Sequence, residues 1–424
     1  MEVEPMFYLL KMALKNISRH RERTLLSLLA ILAGVFAIVF TQGFSEGLIE
    51  NMVNLNVNLN SGHLRLINPE YETKEQLLSL GYPIGEGGKT YSEIVAELRK
   101  QPGVKVASGR IRFGMYLISG EERHGALGMG LDFKAEEQVT KLSRYLKGET
   151  AGRLPESGKR EIVLGRKLMN EMGLKIGDKV NALFNTSFGS FNIATFKVVG
   201  VMSSGLKLLD EGIAYIPLDI AMSLLQFEDA VTEIIVFGDN IDRTQTLFKK
   251  VDNLNRKENL NLKVIPWNAY NEFIAMLPKY RAIMLIVYIV IALLASFVVF
   301  NTLTMVVAER TREIGMLAAL GFTTGAIKKL FLWEGGVLAL MGSIAGAFLG
   351  GLANYIFSIY GIDFTETMKG FGKDFLMSPV LYTKFSFNDL IYGFIIGVAV
   401  TISAAYLPAR RAALLKPAEA LRTI

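Results

Sequence analysis

The chain of 424 residues contains no cysteine, only three histidines and two tryptophans. Without cysteine there is no disulfide framework, no thiol nucleophile and no Cys-ligated metal site. The histidines, His20, His63 and His124, lie far apart, with no His-x-x-x-His or Glu-His pattern near any of them, so their spacing does not point to zinc. Charge is also locally absent. Four stretches, Leu25–Phe44, Ala282–Ala308, Gly335–Ile359 and Leu390–Leu407, hold no Asp, Glu, Lys or Arg. Each is long enough to cross a ~30 Å hydrocarbon layer as a helix. Their most polar residues are Gln42, Asn301 and Asn354. Ion- and proton-coupled transporters need ionisable groups or broken helices at mid-membrane, and these spans offer neither.

A hydrophobic fraction of 51% is high for a soluble protein and low for one made only of spans. The predicted fold is therefore membrane α-helical, with four transmembrane helices in a 1+3 arrangement. A large α+β domain of two lobes is inserted between the first and second helices. The first span starts too late and runs too long for a cleavable signal, and no small-residue cleavage site follows it. The predicted boundaries are an interfacial helix at 1–24, the first span and stalk start at 25–48, and the α+β domain at 49–280. The second span follows at 281–308, a loop and helix at 309–334, the third span at 335–359, a second loop at 360–388, the fourth span at 389–408 and a tail at 409–424.

Lysine and arginine in the short flanks set the expected orientation. The first flank carries Lys11, Lys15, Arg19, Arg21 and Arg23; the loop after span two carries Arg310, Arg312, Lys328 and Lys329; the tail carries Arg410, Arg411, Lys416 and Arg422. The remaining short loop has only Lys369, Lys373 and Lys384, diluted by Asp363, Glu366 and Asp374. Both termini are thus expected inside, with the large domain outside a cell inner (cytoplasmic) membrane. The net charge of +6 reflects this bias and does not mark a nucleic-acid partner. Phe7, Leu10, Leu14 and Ile17 alternate with Lys11, Lys15 and Arg19 at helical spacing, as in a helix lying on the inner leaflet.

Within the outer block, Thr90 and Glu93 predict a capping box opening a helix over 90–100. Strands are predicted at 104–106, 110–118, 160–164, 191–201, 213–216, 233–237 and 262–265, and helices at 166–172 and 244–255. Gly87-Gly-Lys-Thr90 fails as a phosphate loop because Pro83 occupies the required glycine position. Gly158-Lys-Arg160 fails likewise, with Arg153 at that position. No Gly-x-Ser-x-Gly elbow appears, so neither a catalytic residue, a cofactor site nor a metal site is expected in this chain.

Two features remain that point to contacts. Gly342, Gly346 and Gly350 recur every four residues in span three, as do Gly393 and Gly397 in span four. Such stripes let helices approach closely, either within this chain or across a subunit seam. The segment Glu309-Arg-Thr-Arg-Glu-Ile-Gly-Met-Leu-Ala-Ala-Leu320 reads as a charged turn and a short amphipathic helix, broken at Gly321 and followed by a Thr323 or Thr324 cap. Helical spacing groups Ile314, Leu317 and Leu320 on one face, an apolar knob for a cytosolic partner's groove or for lipid headgroups.

Three passages carry a family resemblance: Ala13-Leu-Lys-Asn-Ile-Ser-Arg-His-Arg-Glu-Arg-Thr-Leu-Leu, the Glu309–Gly321 segment with Ile327 and Trp333-Glu-Gly, and Tyr406-Leu-Pro-Ala-Arg-Arg-Ala-Ala-Leu-Leu-Lys-Pro-Ala-Glu-Ala-Leu-Arg. With these the chain resembles the permease subunits of type VII ABC transporters, the MacB, FtsX and LolC/LolE proteins or mechanotransmission permeases. Glu161–Leu168 and Gly173–Val180 resemble the middle lobe of LolC/LolE- and MacB-type outer domains. The resemblance implies a pair of permeases, homo- or heterodimeric, each docked to a separate cytosolic ATPase that binds ATP and Mg. Glu309, Arg310, Arg312, Glu313, Ile314, Leu317, Ala318 and Leu320 would couple to that ATPase. Gly342, Gly346, Gly350, Gly393 and Gly397 would pack moving helices. MacB carries its ATPase fused to the permease and this sequence has none, which points to LolC/LolE-like systems and to lipoprotein release or export. Peptide or antimicrobial export of the MacB kind, or FtsX-like control of a wall hydrolase as a sensor or scaffold, are the alternatives. Expected partners are the ATPase, a second permease, membrane lipid, and a lipoprotein or periplasmic protein.

Overall fold

The computed structural model describes residues 11–16, 21–146, 151–203, 207–269, 272–364, 380–415 and 420. The chain forms two compact units. One comprises Met1–Asn51, Met276–Asp363 and Val380–Ile424; the other comprises Met52–Ala275 and Phe364–Pro379. In chain order the first elements are α1 (Arg21–Asn56), β1 (Leu64–Ile67), α2 (Tyr91–Arg99), β2 (Val104–Ser119), β3 (Glu122–Leu131) and α3 (Phe133–Thr140). Next come β4 (Glu161–Gly165), α4 (Arg166–Glu171), β5 (Lys179–Asn185), β6 (Phe191–Met202), α5 (Lys207–Gly212), β7 (Ile213–Pro217) and α6 (Leu218–Leu225). The rest are β8 (Glu233–Gly238), α7 (Thr244–Lys257), β9 (Lys263–Pro266), α8 (Glu272–Glu309), α9 (Thr311–Ala319), α10 (Thr324–Tyr360), β10 (Ile362–Asp363), β11 (Val380–Leu381) and α11 (Phe387–Ala413).

In the helical unit, four helices among the described residues are long and apolar enough to cross a membrane: Thr24–Ser61, Met276–Glu309, Thr324–Tyr360 and Phe387–Ala413. Ile31, Val35 and Val39 of α1, Val299 and Leu303 of α8, Leu338 and Ala347 of α10, and Ala405 of α11 form their common core. α8 leaves Ile286, Leu293, Leu294 and Phe297 exposed, the apolar surface of a helix facing lipid or another subunit. The unbroken α1 is 36 residues, about 54 Å at 1.5 Å per residue. A π-helical turn, Val57–Ser61, follows it.

Two buried carboxylates lie one residue outside the uncharged stretches. Buried Glu334 lies within α10 and buried Asp389 within the first turn of α11. Gln42 Nε2 donates to Asp389 Oδ1 at 2.9 Å, and Asn354 Nδ2 donates to the Val39 carbonyl at 2.8 Å. Gln42, Asn354 and Asp389 thus each make a hydrogen bond, which apolar surroundings favour.

The second unit is built on one hydrogen-bonded sheet in the order β3-β7-β4-β6-β5-β2-β8-β1-β9. β2 supplies the long central element: its residues Arg110–Ser119 pair with β3 along one edge. The other edge pairs first with β8 and then, at Met115–Ile118, with β5. The extra β2–β3 pairing closes β2-β3-β7-β4-β6-β5 into a ring, while β8, β1 and β9 extend from it. Alternate residues Ile111, Phe113, Met115 and Leu117 are buried inside, with the Phe113 and Phe184 rings edge to face at 5.8 Å.

Several sequence readings change. The strands predicted at 104–106 and 110–118 are the single β2. β3, α3 and α6 lacked a legible pattern; a Cβ on Gly128 would lie 2.3 Å from Met115 Cε, so β3 uses glycine where side chains from β2 cross it. The capping box of α2 is formed by Thr90 and Glu93, as the spacing predicts, and Lys89 of the Gly-Gly-Lys-Thr turn pairs with Glu258 at 2.6 Å. Residues 11–16 are helical, while the rest of the predicted interfacial segment before Arg21, loop residues 365–379, and tail residues 416–419 and 421–424 lie outside the described residues.

Candidate functional site

The loop after α8 makes the first candidate site. Arg310 is nearly buried, and its Nε donates to Glu313 Oε2 at 2.8 Å while Nη1 reaches Glu334 Oε1 at 3.1 Å. Asn16 Nδ2 donates to the same Glu334 oxygen at 2.5 Å. One buried carboxylate therefore ties the helical segment at 11–16, the α8–α9 junction and α10 together. Ile314 is buried with Val307, Ile327, Phe331, Ala409 and Ala412. Leu317 packs toward Ala13 and Leu330, and Ala318 toward the Ile314 cluster.

This splits the predicted coupling residues. Ile314, Leu317 and Ala318 face inward, so the expected knob is not a single face with Leu320. Glu309, Arg312 and Leu320 are exposed, and Met316, which the spacing argument passed over, joins them. Leu320 is 79% exposed because it lies just beyond α9, where Gly321 at φ +95° turns the chain toward the Thr323 cap of α10. The outward surface of α9 is thus Arg312, Met316 and Leu320, backed by the buried Arg310–Glu334 anchor.

The glycines of α10 lie against α1. A Cβ on Gly342 would meet Ile31 at 2.7 Å, on Gly346 the Leu32 carbonyl at 2.6 Å, and on Gly350 Val39 at 2.9 Å. From α11, Gly393 and Gly397 face Val39 and Val35 of the same helix. In this chain both stripes receive α1, with its β-branched ridge seated in the groove they leave.

The sheet unit holds the second candidate site, which sequence reasoning missed. Arg65, Arg110, Arg112, Glu136 and Glu233 are all buried. Arg110 Nε and Nη2 hold the two Glu136 oxygens at 2.7 Å each. Its Nη1 also donates to the carbonyls of Leu59 at 3.1 Å and Asn60 at 2.9 Å. Those carbonyls belong to the π-helical turn that ends α1, where backbone acceptors lack intrahelical donors and a positive charge is favoured. Arg112 donates to Asn60 Oδ1 at 2.6 Å and to Glu233 Oε1 at 2.8 Å, and Arg65 binds the other Glu233 oxygen and Glu75. Burial pushes the Glu233 carboxyl up, but Arg112, Arg65 and Arg110 outweigh it and hold the pKa below the ordinary glutamate value. Leu55 and Leu59 pack beside this network against Met129, Val199 and Tyr215. The turn that follows the long helix is thereby held by Arg110 and Arg112 of β2, with Glu136 and Glu233 behind them.

Two further observations bear on chemistry. Among the described residues no group of three or more His, Asp or Glu side chains could hold a metal ion. The sheet unit exposes Tyr116, Phe188, Phe191 and Ile193 around the β5–β6 hairpin, a patch of apolar surface in contact with solvent.

Residues 285–417 match the family model described as FtsX-like permease C-terminal, and residues 24–254, more than half of the chain, match that described as MacB-like periplasmic core domain. The chain is 23% identical over 346 residues to the lipoprotein-releasing system transmembrane protein LolE of Haemophilus influenzae, covering 78% of this chain and 80% of that one. It is 24% identical over 315 residues to the lipoprotein-releasing system transmembrane protein LolC of Xylella fastidiosa, covering 72% and 75%. Among solved structures, the extracellular domain of the noncanonic ABC-type transporter YknZ from Gram-positive bacteria aligns with a TM-score of 0.34 at 18% identity, over 48% of this chain and 98% of that domain.

Proposed function

The chain belongs to the family of ABC transporter permeases that join a MacB-like periplasmic core domain to an FtsX-like permease C-terminal part, and from this we propose that it transmits the motion of a separate cytosolic ATPase to its extracytoplasmic domain. Both termini and α9 lie inside, the sheet unit lies outside, and four helices cross the inner membrane in a 1+3 arrangement. A second permease, identical or paralogous, completes the transporter. ATP and Mg are bound by the partner ATPase, and this chain supplies no catalytic group.

One observation carries the reading: α1 is continuous over 36 residues, and the turn that follows it is clamped by Arg110 and Arg112. A stiff helix fixed at its far end moves what it is fixed to. At the near end, the ATPase docks on Arg312, Met316 and Leu320, with Glu309 beside them and Arg310, Glu313, Ile314, Leu317 and Ala318 holding α9 in place. Lipoprotein release from the membrane is the substrate reading, supported by the LolC- and LolE-named relatives and by the exposed apolar side chains on the sheet unit. The MacB-like core domain supports a second reading, export of a smaller amphiphile.

The test is co-purification. The native chain is expected to retain a Walker-motif ATPase from its own cell, and Arg312→Glu combined with Leu320→Asp, both at exposed positions, should abolish retention while insertion and thermal stability stay as in the native chain. Full retention by the double variant sinks the docking surface, and no ATPase under any nucleotide condition sinks the transporter reading.

A further inference from the structure

α10 and α11 leave between them an open groove of about 570 Å³, close to the end of α10 that follows α9. Its walls include Lys329, Trp333, Gly336 and Leu340 of α10 and Val398 and Ile402 of α11. On α11 the spacing of four that sets Val398 and Ile402 on one ridge continues to Tyr406 and Arg410. Lys328 reaches Tyr406, its Nζ 4.4 Å from the ring centroid. Along one line the groove therefore runs from an apolar trough to a mouth of cationic and amphipathic aromatic side chains.

That gradient matches the chemistry of one kind of ligand. Leu340 and Ile402 are exposed on segments that cross the hydrocarbon layer, so the trough takes acyl chains. Trp and Tyr sit at the level of lipid headgroups, where a ring has one apolar and one wet side. Lys329 is exposed and no carboxylate pairs with it among the described residues. A second copy's apolar helix laid in the groove would strip water from this ammonium without neutralising it, which is costly. A phosphate neutralises it, and basic pockets between membrane helices bind anionic headgroups. A Cβ on Gly336 would meet nothing within 4 Å, so the trough is open halfway along.

We propose that the α10–α11 groove binds an anionic phospholipid, its phosphate on Lys329 and one acyl chain running past Trp333 and Gly336 toward Leu340 and Ile402. The site is independent of which substrate the transporter moves and of whether the ATPase docks.

Native mass spectrometry of the full-length protein, titrated in detergent with phosphatidylglycerol or phosphatidylcholine of matched chains, reads it directly. Retention of phosphatidylglycerol should exceed that of phosphatidylcholine, and Lys329→Gln should weaken it about fivefold, the effect of one basic group near a headgroup. A Cβ on Gly336 meets nothing within 4 Å, so Gly336→Leu projects its side chain into the trough and should remove retention more than tenfold while the melting temperature holds. Ile402→Trp closes the trough from the other wall and should act the same way. Equal retention of the two lipids overturns the proposal. So does unchanged retention in both trough-filling variants, or a trough-filling variant whose main effect is a change in the number of protomers, which would assign the groove to a second copy.

Discussion

Glu233 is the residue on which the clamp at the end of α1 turns, because its two oxygens separately hold Arg65 and Arg112. Replacing it by Gln removes the carboxylate that buried Arg112 and Arg65 share and leaves Arg65 to Glu75, a change that costs on the order of 3 kcal/mol. Full-length Glu233→Gln should melt well below the native protein and be cut faster by protease within the sheet unit; an unchanged melt would show that the network is not under this electrostatic constraint. His63 gives a different signature. It is buried, its Nδ1 accepts the Gly238 N–H at 2.7 Å, and burial holds its pKa below the ordinary 6.5, with Asp239 opposing. The unfolded chain therefore takes up a proton that the folded chain refuses, so the stability contribution is whole above about pH 6.5 and is lost as pH falls below it. The loss should be at most about 1.4 kcal/mol per pH unit, and His63→Asn, whose oxygen can take the Nδ1 role, should flatten that part of a melting curve series from pH 7.5 to 5.5. None of this network was legible in the sequence. Arg110 and Arg112 alternate with buried Ile111 and Phe113, which reads as a wet strand face. Their partners, Glu136 and Glu233, lie 26 and 121 residues away from them, so only the fold brings them together.

Among elements, the helix glycines and the α9 loop show what local pattern does and does not carry. The recurrence of Gly342, Gly346 and Gly350 is enough to mark a smooth stripe, but not to name the helix that meets it; the structure seats α1 there. Gly346→Leu would bring a Cβ to 2.6 Å from the Leu32 carbonyl, a backbone atom that yields only if the helices part. Overpacking of this kind costs about 1–3 kcal/mol, so the variant should melt lower and α1–α10 distances read by paired spin labels should lengthen. Unchanged distances would mean that the stripe does not set the helix spacing. In α9 the charged and apolar spacing located the helix, its glycine stop and its neighbouring cap. It did not separate Ile314, which is core, from Leu320, which is surface, because α9 has only nine residues and its inward face is chosen by Phe331 and Ala409 from other helices. β3 was invisible for the opposite reason, since glycine at Gly128 and Gly130 erases the alternation that marks a strand while making room for its neighbours.

At the scale of the whole molecule, the order of apolar spans and the block of mixed strands and helices were readable because each follows from long-range composition. The contacts that Arg110 and Arg112 make with the turn after the long helix were not readable, and the proposed transmission of motion depends on them. If motion passes along α1, its stiffness at the boundary between the two units is as necessary as the clamp beyond it. Asn51 and Met52 lie at that boundary, inside an unbroken helix. Four glycines inserted between them cost about 1 kcal/mol each in helix propensity and make a flexible hinge. Four alanines add the same length, about 6 Å, and keep the helix. In proteoliposomes containing the chain, its partner permease and the ATPase, both insertions should leave ATPase retention and basal hydrolysis near native. The glycine insertion should abolish substrate release, whereas the alanine insertion should keep a measurable part of it, because a longer rod still pushes and a hinge does not. Equal release from the two would mean that α1 serves only as a tether, and that force reaches the sheet unit through the helix that re-enters the membrane at α8.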